Sequence, residues 1–171
     1  GGGYWYGTGL LADLGGDDRY EGVWYVQGAA AHFAIGGLLD SAGNDQYLAT
    51  MNMAQGAGHD FSLGVLVDEG GNDRYQAPNL ALGAGNANGI GLFWELAGDD
   101  VYEAKEGVNL GMARTPGRAA DLAHSPRRLA RCLGLFLDSG GRDQYPRAGQ
   151  GDGRSWHEAQ PDTAARGAGV D

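Results

Sequence analysis

Cysteine is almost missing from this 171-residue chain: Cys132 stands alone, so no internal disulfide can cross-link it and the redox compartment stays open. Proline is scarce at five residues, and the abundant glycine follows no three-residue period, which excludes collagen and Pro-rich disorder. No apolar run approaches the roughly 18 residues of a membrane-spanning helix. Basic side chains are few, 12 Lys and Arg against 22 Asp and Glu, and the net charge of −10 argues against nucleic acid as a partner. Catalytic signatures are also missing: there is no His-Glu-x-x-His, no Gly-x-Ser-x-Gly and no P-loop. His32, His59, His124 and His157 share no metal-ligand spacing. With only Thr8, Thr50, Thr115 and Thr163 there is no threonine column of the kind an ice-binding solenoid would present.

What the chain does have is glycine, 33 residues against a usual share of roughly 7%, and enough apolar side chains (42%, with four Trp and eight Tyr) to bury a core. It also has an internal repeat. Five boxes read Asp13-Leu-Gly-Gly-Asp-Asp-Arg-Tyr20, Asp40-Ser-Ala-Gly-Asn-Asp-Gln-Tyr47, Asp68-Glu-Gly-Gly-Asn-Asp-Arg-Tyr75, Glu95-Leu-Ala-Gly-Asp-Asp-Val-Tyr102 and Asp138-Ser-Gly-Gly-Arg-Asp-Gln-Tyr145. Their tyrosines are 27, 28, 27 and 43 residues apart. The boxes hold 13 acids and three arginines, so the whole net charge sits in them and the remaining chain is neutral. A short apolar segment precedes each box, as in Val65-Leu66-Val67, and a second glycine cluster follows it, as in Gln55-Gly56-Ala57-Gly58.

A unit of 27 residues accommodates three strands of about five residues and three turns, one coil of a parallel β-solenoid. No stretch of the unit carries an i, i+3, i+4 apolar stripe, which disfavours a helical repeat, and a propeller blade needs about 40 residues. The expected fold is therefore all-β, a parallel β-solenoid (β-helix) over residues 1–156, followed by an irregular tail or the start of a further coil at 157–171. Gly1 aligns with Gly28, so the chain is expected to be a piece of a longer array. The fourth interval is longer by about 16 residues between Gly111 and Gly134. Ser125-Pro126 reads there as a helix start, with Leu129, Cys132 and Leu133 on one apolar face, giving a helical insertion within 112–133. Its five arginines (Arg114, Arg118, Arg127, Arg128 and Arg131) suit docking on the acidic flank of the solenoid, or else a lid or partner site.

Stacked coils lie about 4.8 Å apart, so equivalent residues form columns. The box glycine is expected at positive φ in a tight corner, and the tyrosines as an aromatic ladder. The acids pose a problem: two unit charges 4.8 Å apart repel by roughly 1 kcal/mol in water and about 3–4 kcal/mol at an effective dielectric near 20. Two remedies stay open. Each Asp can accept bonds from its own turn's N–H groups, helped by Arg19 and Arg74. Alternatively Ca²⁺ can sit between coils, with Asp13, Asp18, Asp40, Asp45, Asp68, Asp73, Glu95, Asp100, Asp138 and Asp143 as candidate ligands. Either remedy holds the carboxylates ionised, with folded pKa values below the ordinary ones.

Ala42-Gly43-Asn44-Asp45-Gln46-Tyr47 and Gly70-Gly71-Asn72-Asp73-Arg74-Tyr75 resemble the turns of RTX (hemolysin-type) calcium-binding repeats. The resemblance covers about six residues per coil, and the period departs from it, since RTX turns recur every nine residues. It implies Ca²⁺ in the turns and a secreted bacterial protein, hence an extracellular or cell-surface location. Together these features point to a non-enzymatic repeat scaffold. The strands before the boxes are apolar on both faces, so the outer face is expected to be covered by self-association or by other domains of a parent protein. The contact would fall on Phe93 and Phe136 or on their neighbours Leu92, Trp94 and Leu135. The rival expectation is a carbohydrate-active β-helix enzyme, with polysaccharide as its partner and acids outside the boxes, such as Asp60, Glu103 and Glu106, at work.

Overall fold

A computed structural model describes residues 1–77, 80–104, 119–120, 132–144 and 166–170. They form a parallel β-solenoid of about four turns whose coils repeat every 27 or 28 residues before the long interval. Each coil contributes one strand to each of three sheets. Sheet A stacks β1 (Gly3–Tyr4), β4 (Ala30–Ala31), β7 (Gly58–His59), β10 (Gly85–Asn86) and β13 (Ala119–Ala120). Sheet B stacks β2 (Thr8–Ala12), β5 (Ile35–Asp40), β8 (Leu63–Asp68), β11 (Ile90–Glu95), β14 (Leu133–Asp138) and β15 (Arg166–Val170). Sheet C stacks β3 (Arg19–Gly22), β6 (Gln46–Ala49), β9 (Arg74–Ala77) and β12 (Val101–Ala104). Among the described residues no helix is long and apolar enough to cross a membrane.

The strands are unequal, where three of similar length were expected. Sheet A strands have two residues, and β1, β4, β7 and β10 are each followed by a pair in the left-handed region that ends the strand: Trp5–Tyr6, His32–Phe33, Asp60–Phe61 and Ala87–Asn88, with φ between 44° and 65°. The second glycine cluster explains the close approach of the chain on the other side. A Cβ on Gly56 would lie 2.1 Å from the carbonyl oxygen of Leu92, so this segment packs backbone to backbone against sheet B and only glycine fits.

Register is kept residue for residue: Leu38, Leu66, Phe93 and Phe136 pair across neighbouring sheet B strands. Alternation along a strand then sends one column inward and its neighbours outward. The inward column, 0–2% exposed, meets Tyr47, Tyr75 and Tyr102 of sheet C and Ala49, Ala54 and Leu82 in one core. The tyrosine rings stack from Tyr20 to Tyr47, Tyr75 and Tyr102 at 4.8, 4.6 and 5.2 Å between centroids. Such contacts contribute about 0.5–1.5 kcal/mol per pair beyond the area they bury. Phe93 and Phe136 also stack, at 5.1 Å, and cross the tyrosines edge to face. Tyr145 lies outside the described residues.

The long interval is redistributed relative to expectation. Ala119 pairs with Gly85, 34 residues earlier, where sheet A neighbours are otherwise 27 or 28 apart. Leu133 then follows Ala119 by 14 residues, whereas Ile90 follows Gly85 by five. The excess is thus split around a regular sheet A strand. Leu133, expected on a helix face, opens β14 opposite Ile90, because its apolar side chain continues an outward column of sheet B. The expected helix and its arginines lie outside the described residues.

Each box turns the corner from sheet B to sheet C. Gly43 has φ 155°, and a Cβ there would sit 1.7 Å from the carbonyl oxygen of Gly16 in the preceding coil. Neither strain nor overlap can be relieved while the coils stay 4.8 Å apart. Gly43→Ala should therefore destabilise the fold by more than about 3 kcal/mol in urea melts. Gly140→Ala, where a Cβ meets nothing within 4 Å, should change stability by no more than about 0.5 kcal/mol.

Candidate metal site at the acidic corner

The box acids form two columns with different roles. The first acid of the last four boxes ends a sheet B strand and points inward: Asp40, Asp68 and Glu95 are fully buried and Asp138 nearly so. Three of these make the turn contact expected of them. Ala42, Gly70 and Gly140 donate their N–H groups to Oδ1 of Asp40, Asp68 and Asp138, at 3.2, 3.1 and 3.5 Å. Asp13 receives the N–H of Gly15 in the same way on the exposed first coil.

The second column, Asp18, Asp45, Asp73, Asp100 and Asp143, bonds between coils. The N–H of Asp18 donates to Asp45 Oδ1 (2.6 Å), that of Asp45 to Asp73 Oδ1 (2.6 Å), that of Asp73 to Asp100 Oδ1 (2.7 Å) and that of Asp100 to Asp143 Oδ1 (2.9 Å). A similar ladder runs beside it on the surface through Asp17, Asn44, Asn72, Asp99 and Arg142. Among the described residues, Arg19, Arg74 and Arg142 do not reach the buried columns. Arg19 pairs with Glu21 and Arg74 with Glu103, both on the outside, because their side chains leave sheet C on its solvent face.

The tyrosines supply a polar contact the repeat alone did not reveal. Each hydroxyl donates to the first acid of the next box: Tyr20 to Asp40, Tyr47 to Asp68 (2.5 Å), Tyr75 to Glu95 and Tyr102 to Asp138 (2.9 Å). The Tyr75 hydroxyl also lies 3.0 Å from Asp68 Oδ2, so its single proton is shared between the two acids. The signal was present in the sequence as a constant separation of 20 or 21 residues, lengthened to 36 by the long interval. Burial, together with the neighbouring carboxylates, pushes these phenols well above their ordinary range, so they remain donors.

The two columns converge. One oxygen from each of Asp18, Asp40 and Asp45 lies within 4.8 Å of the others, and the same holds for Asp45–Asp68–Asp73, Asp73–Glu95–Asp100 and Asp100–Asp138–Asp143. Nine of the ten acids singled out in the sequence enter these clusters, and Asp13 does not. Four buried oxygens in them accept no hydrogen bond: Asp45 Oδ2, Asp73 Oδ2, Asp100 Oδ2 and Glu95 Oε1. Backbone oxygens crowd the same corner. The carbonyl of Gly16 and Oδ1 of Asp45 lie 1.7 and 2.7 Å from one point, the Cβ position of Gly43, and Gly43, Gly71 and Gly98 repeat the arrangement in the following coils. Among the described residues these four carbonyls accept no hydrogen bond.

The box carboxylates were expected below their ordinary pKa; Asp99 is lowered by Arg142, but the buried Asp45, Asp73, Glu95 and Asp100 move the other way. Desolvation outweighs the hydrogen bonds and raises Asp45 to about 6, Asp100 to about 7, Asp73 to about 8 and Glu95 to about 10. Such a corner can retain protons or take a divalent cation, whose preference for clustered carboxylate and carbonyl oxygens it meets.

Of the acids outside the boxes, Asp60 accepts from or shares a proton with His32 Nδ1 at 3.0 Å, and Glu103 is held by Arg74 at 2.6 Å. Glu106 lies outside the described residues. No family model, curated protein or solved structure matches the chain.

The shifts fix the sign of a pH dependence. A carboxyl whose folded pKa is raised contributes stability that is fully present below the unfolded value near 3.8 and is lost as pH rises through the folded one. In chelator, the melting temperature should therefore be higher at about pH 5 than at about pH 8. A lower value at pH 5 would mean that the carboxylates are held ionised without a cation.

Proposed function

We propose that this chain is a non-enzymatic structural module, a repeat scaffold of a secreted or cell-surface bacterial protein that Ca²⁺ stiffens along its acidic corner and that self-associates through the outer face of sheet B. The observation that carries the calcium reading is the set of buried carboxylate oxygens without a hydrogen-bond partner inside four three-acid clusters. A buried charge left unpaired is expensive, and among the described residues no basic side chain offsets it there, since Arg19, Arg74 and Arg142 pair outside. Oxygens coordinating one Ca²⁺ at about 2.3–2.6 Å lie no more than about 5 Å apart, which a 4.8 Å convergence satisfies. Mg²⁺ holds its water more tightly and suits a dry corner less. The RTX-like turns agree with this choice, and abundant free Ca²⁺ outside the cell agrees with the location.

Binding to the folded state alone raises stability by mass action, about 2.7 kcal/mol at a hundredfold excess over Kd. Saturating Ca²⁺ should raise the melting temperature and chelator should lower it again. Asp45→Asn and Asp73→Asn, which keep the Oδ1 acceptor, should blunt the response. Identical melts with and without chelator would remove Ca²⁺ from this account.

The self-association reading rests on the outward columns of sheet B. They run Ile35, Leu63, Ile90, Leu133; then Val65, Leu92, Leu135; then Leu39, Val67, Trp94, Leu137, and these residues carry no charge, Arg166 of β15 standing at the end of the first column. Ile35, Leu63, Ile90, Leu39 and Trp94 are exposed, and beside them Tyr6, Phe33 and Phe61 stack in a second exposed strip. Phe93 and Phe136, the other expected contact, are fully buried and face the core, so they are unavailable. On a chain of net charge −10, an uncharged apolar wall is where two copies can meet without repulsion. The wall's footprint is roughly 400–500 Å², so a two-copy contact falls at the small end of specific interfaces. Light scattering should show an assembly that grows with concentration, and Trp94→Asp should abolish it while circular dichroism shows the solenoid still folded. A monomer at high concentration, unaffected by Trp94→Asp, would rule the wall out as an interface.

A further inference from the structure

The four clusters are not separate sites. Asp45 belongs to the first and second, Asp73 to the second and third, and Asp100 to the third and fourth. Each of these three acids is buried, uses Oδ1 to accept an N–H from the preceding coil, and keeps Oδ2 without a partner. A carboxylate in that position can lend oxygens to a cation on either side. Charge counts the same way. The clusters contain nine carboxylates, and four divalent cations would bring eight positive charges to them. Monovalent ions would leave about half the negative charge in a dry corner, and four trivalent ions would overshoot it.

We infer that the acidic corner holds a continuous column of four divalent cations, one per cluster, joined by the bridging carboxylates of Asp45, Asp73 and Asp100 and loaded cooperatively. This rests on the cation reading above and adds the number of ions, the sharing of ligands and the order of loading. An isolated ion leaves its bridging carboxylates with negative charge on the far side, and the next ion along neutralises it. The ions repel one another across about 4.8 Å, and the bridging oxygens between them offset that repulsion. Each box glycine carbonyl adds an uncharged oxygen at the same corner, so coordination can be completed without adding negative charge.

The number of ions follows from native mass spectrometry and equilibrium dialysis of the 171-residue chain with Ca²⁺ as the probe, and with Mg²⁺ alone as a second arm. The expected result is four Ca²⁺ per chain with a sigmoidal isotherm. Asp18→Asn, which touches one cluster, should lose one ion. Asp73→Asn, which touches two, should lose at least two and flatten the isotherm. Circular dichroism checks that each variant is folded; if Asp73→Asn is not, Asp100→Asn tests the same sharing, and the wild-type isotherm tests cooperativity without any variant. No bound Ca²⁺ at all would overturn the cation reading itself. Bound Ca²⁺ with independent sites, with fewer than four ions, or with only one ion lost from Asp73→Asn would overturn the column and leave that reading standing. Equal occupancy by Mg²⁺ at the same free concentration would overturn the match to a dehydrated, calcium-sized ion.

Discussion

Exact vertical register governs everything else in this molecule. Parallel strands 4.8 Å apart place each residue over its counterpart one coil away, so any side chain the repeat favours is stacked on a copy of itself. For apolar and aromatic residues the consequence is favourable: Tyr over Tyr and Phe over Phe give near-parallel rings at about 5 Å and a core only a few side chains wide. For charged residues the same rule is costly. The boxes put carboxylate over carboxylate at five levels, and burial removes the water that would screen them.

The structure answers that cost unevenly. One lone-pair direction of each second-column acid is taken by an N–H from the neighbouring coil, and the inward acids are taken by turn amides and tyrosine hydroxyls. These contacts also lock the register, since a shift of one residue would leave every N–H and hydroxyl opposite the wrong partner. What remains is a row of oxygens with no protein partner, confined to one inner corner. The outer face of sheet B shows the opposite character. It carries no charge over several coils and leaves large apolar side chains in water. Sheet A, two residues wide and pressed backbone to backbone on sheet B, forms the third side.

Much of this was legible in the residues. The 27-residue period, the parallel stacking, the tyrosine ladder and the inward column of Leu38, Leu66, Phe93 and Phe136 all follow from repetition and from strand alternation, which are local rules. The ten candidate acids were also visible, because a repeated carboxylate at a fixed place cannot be hidden by composition. Less was visible at Leu133. Its place in a helical apolar stripe and its place opposite Ile90 are equally good locally, and pairing with β11 decides between them. The tyrosine hydroxyls escaped notice because a phenol reads as a packing ring until its acceptor, some 20 residues onward, is brought alongside.

The sequence by itself determined the repeat, the all-β solenoid and the identity of the columns, since period and alternation are properties of the chain order. Only the tertiary structure decided which acids meet. Asp45 sits with Asp18 and Asp40 on one side and with Asp68 and Asp73 on the other because the corner between sheets B and C folds two columns into one space. It also decided the sign of the pKa shifts: desolvation depends on how much protein surrounds a carboxylate, and the hydrogen bonds it accepts do not remove that penalty. Spacing along the chain carries no information about burial across it, so the balance between a held proton and a held cation is set by the fold.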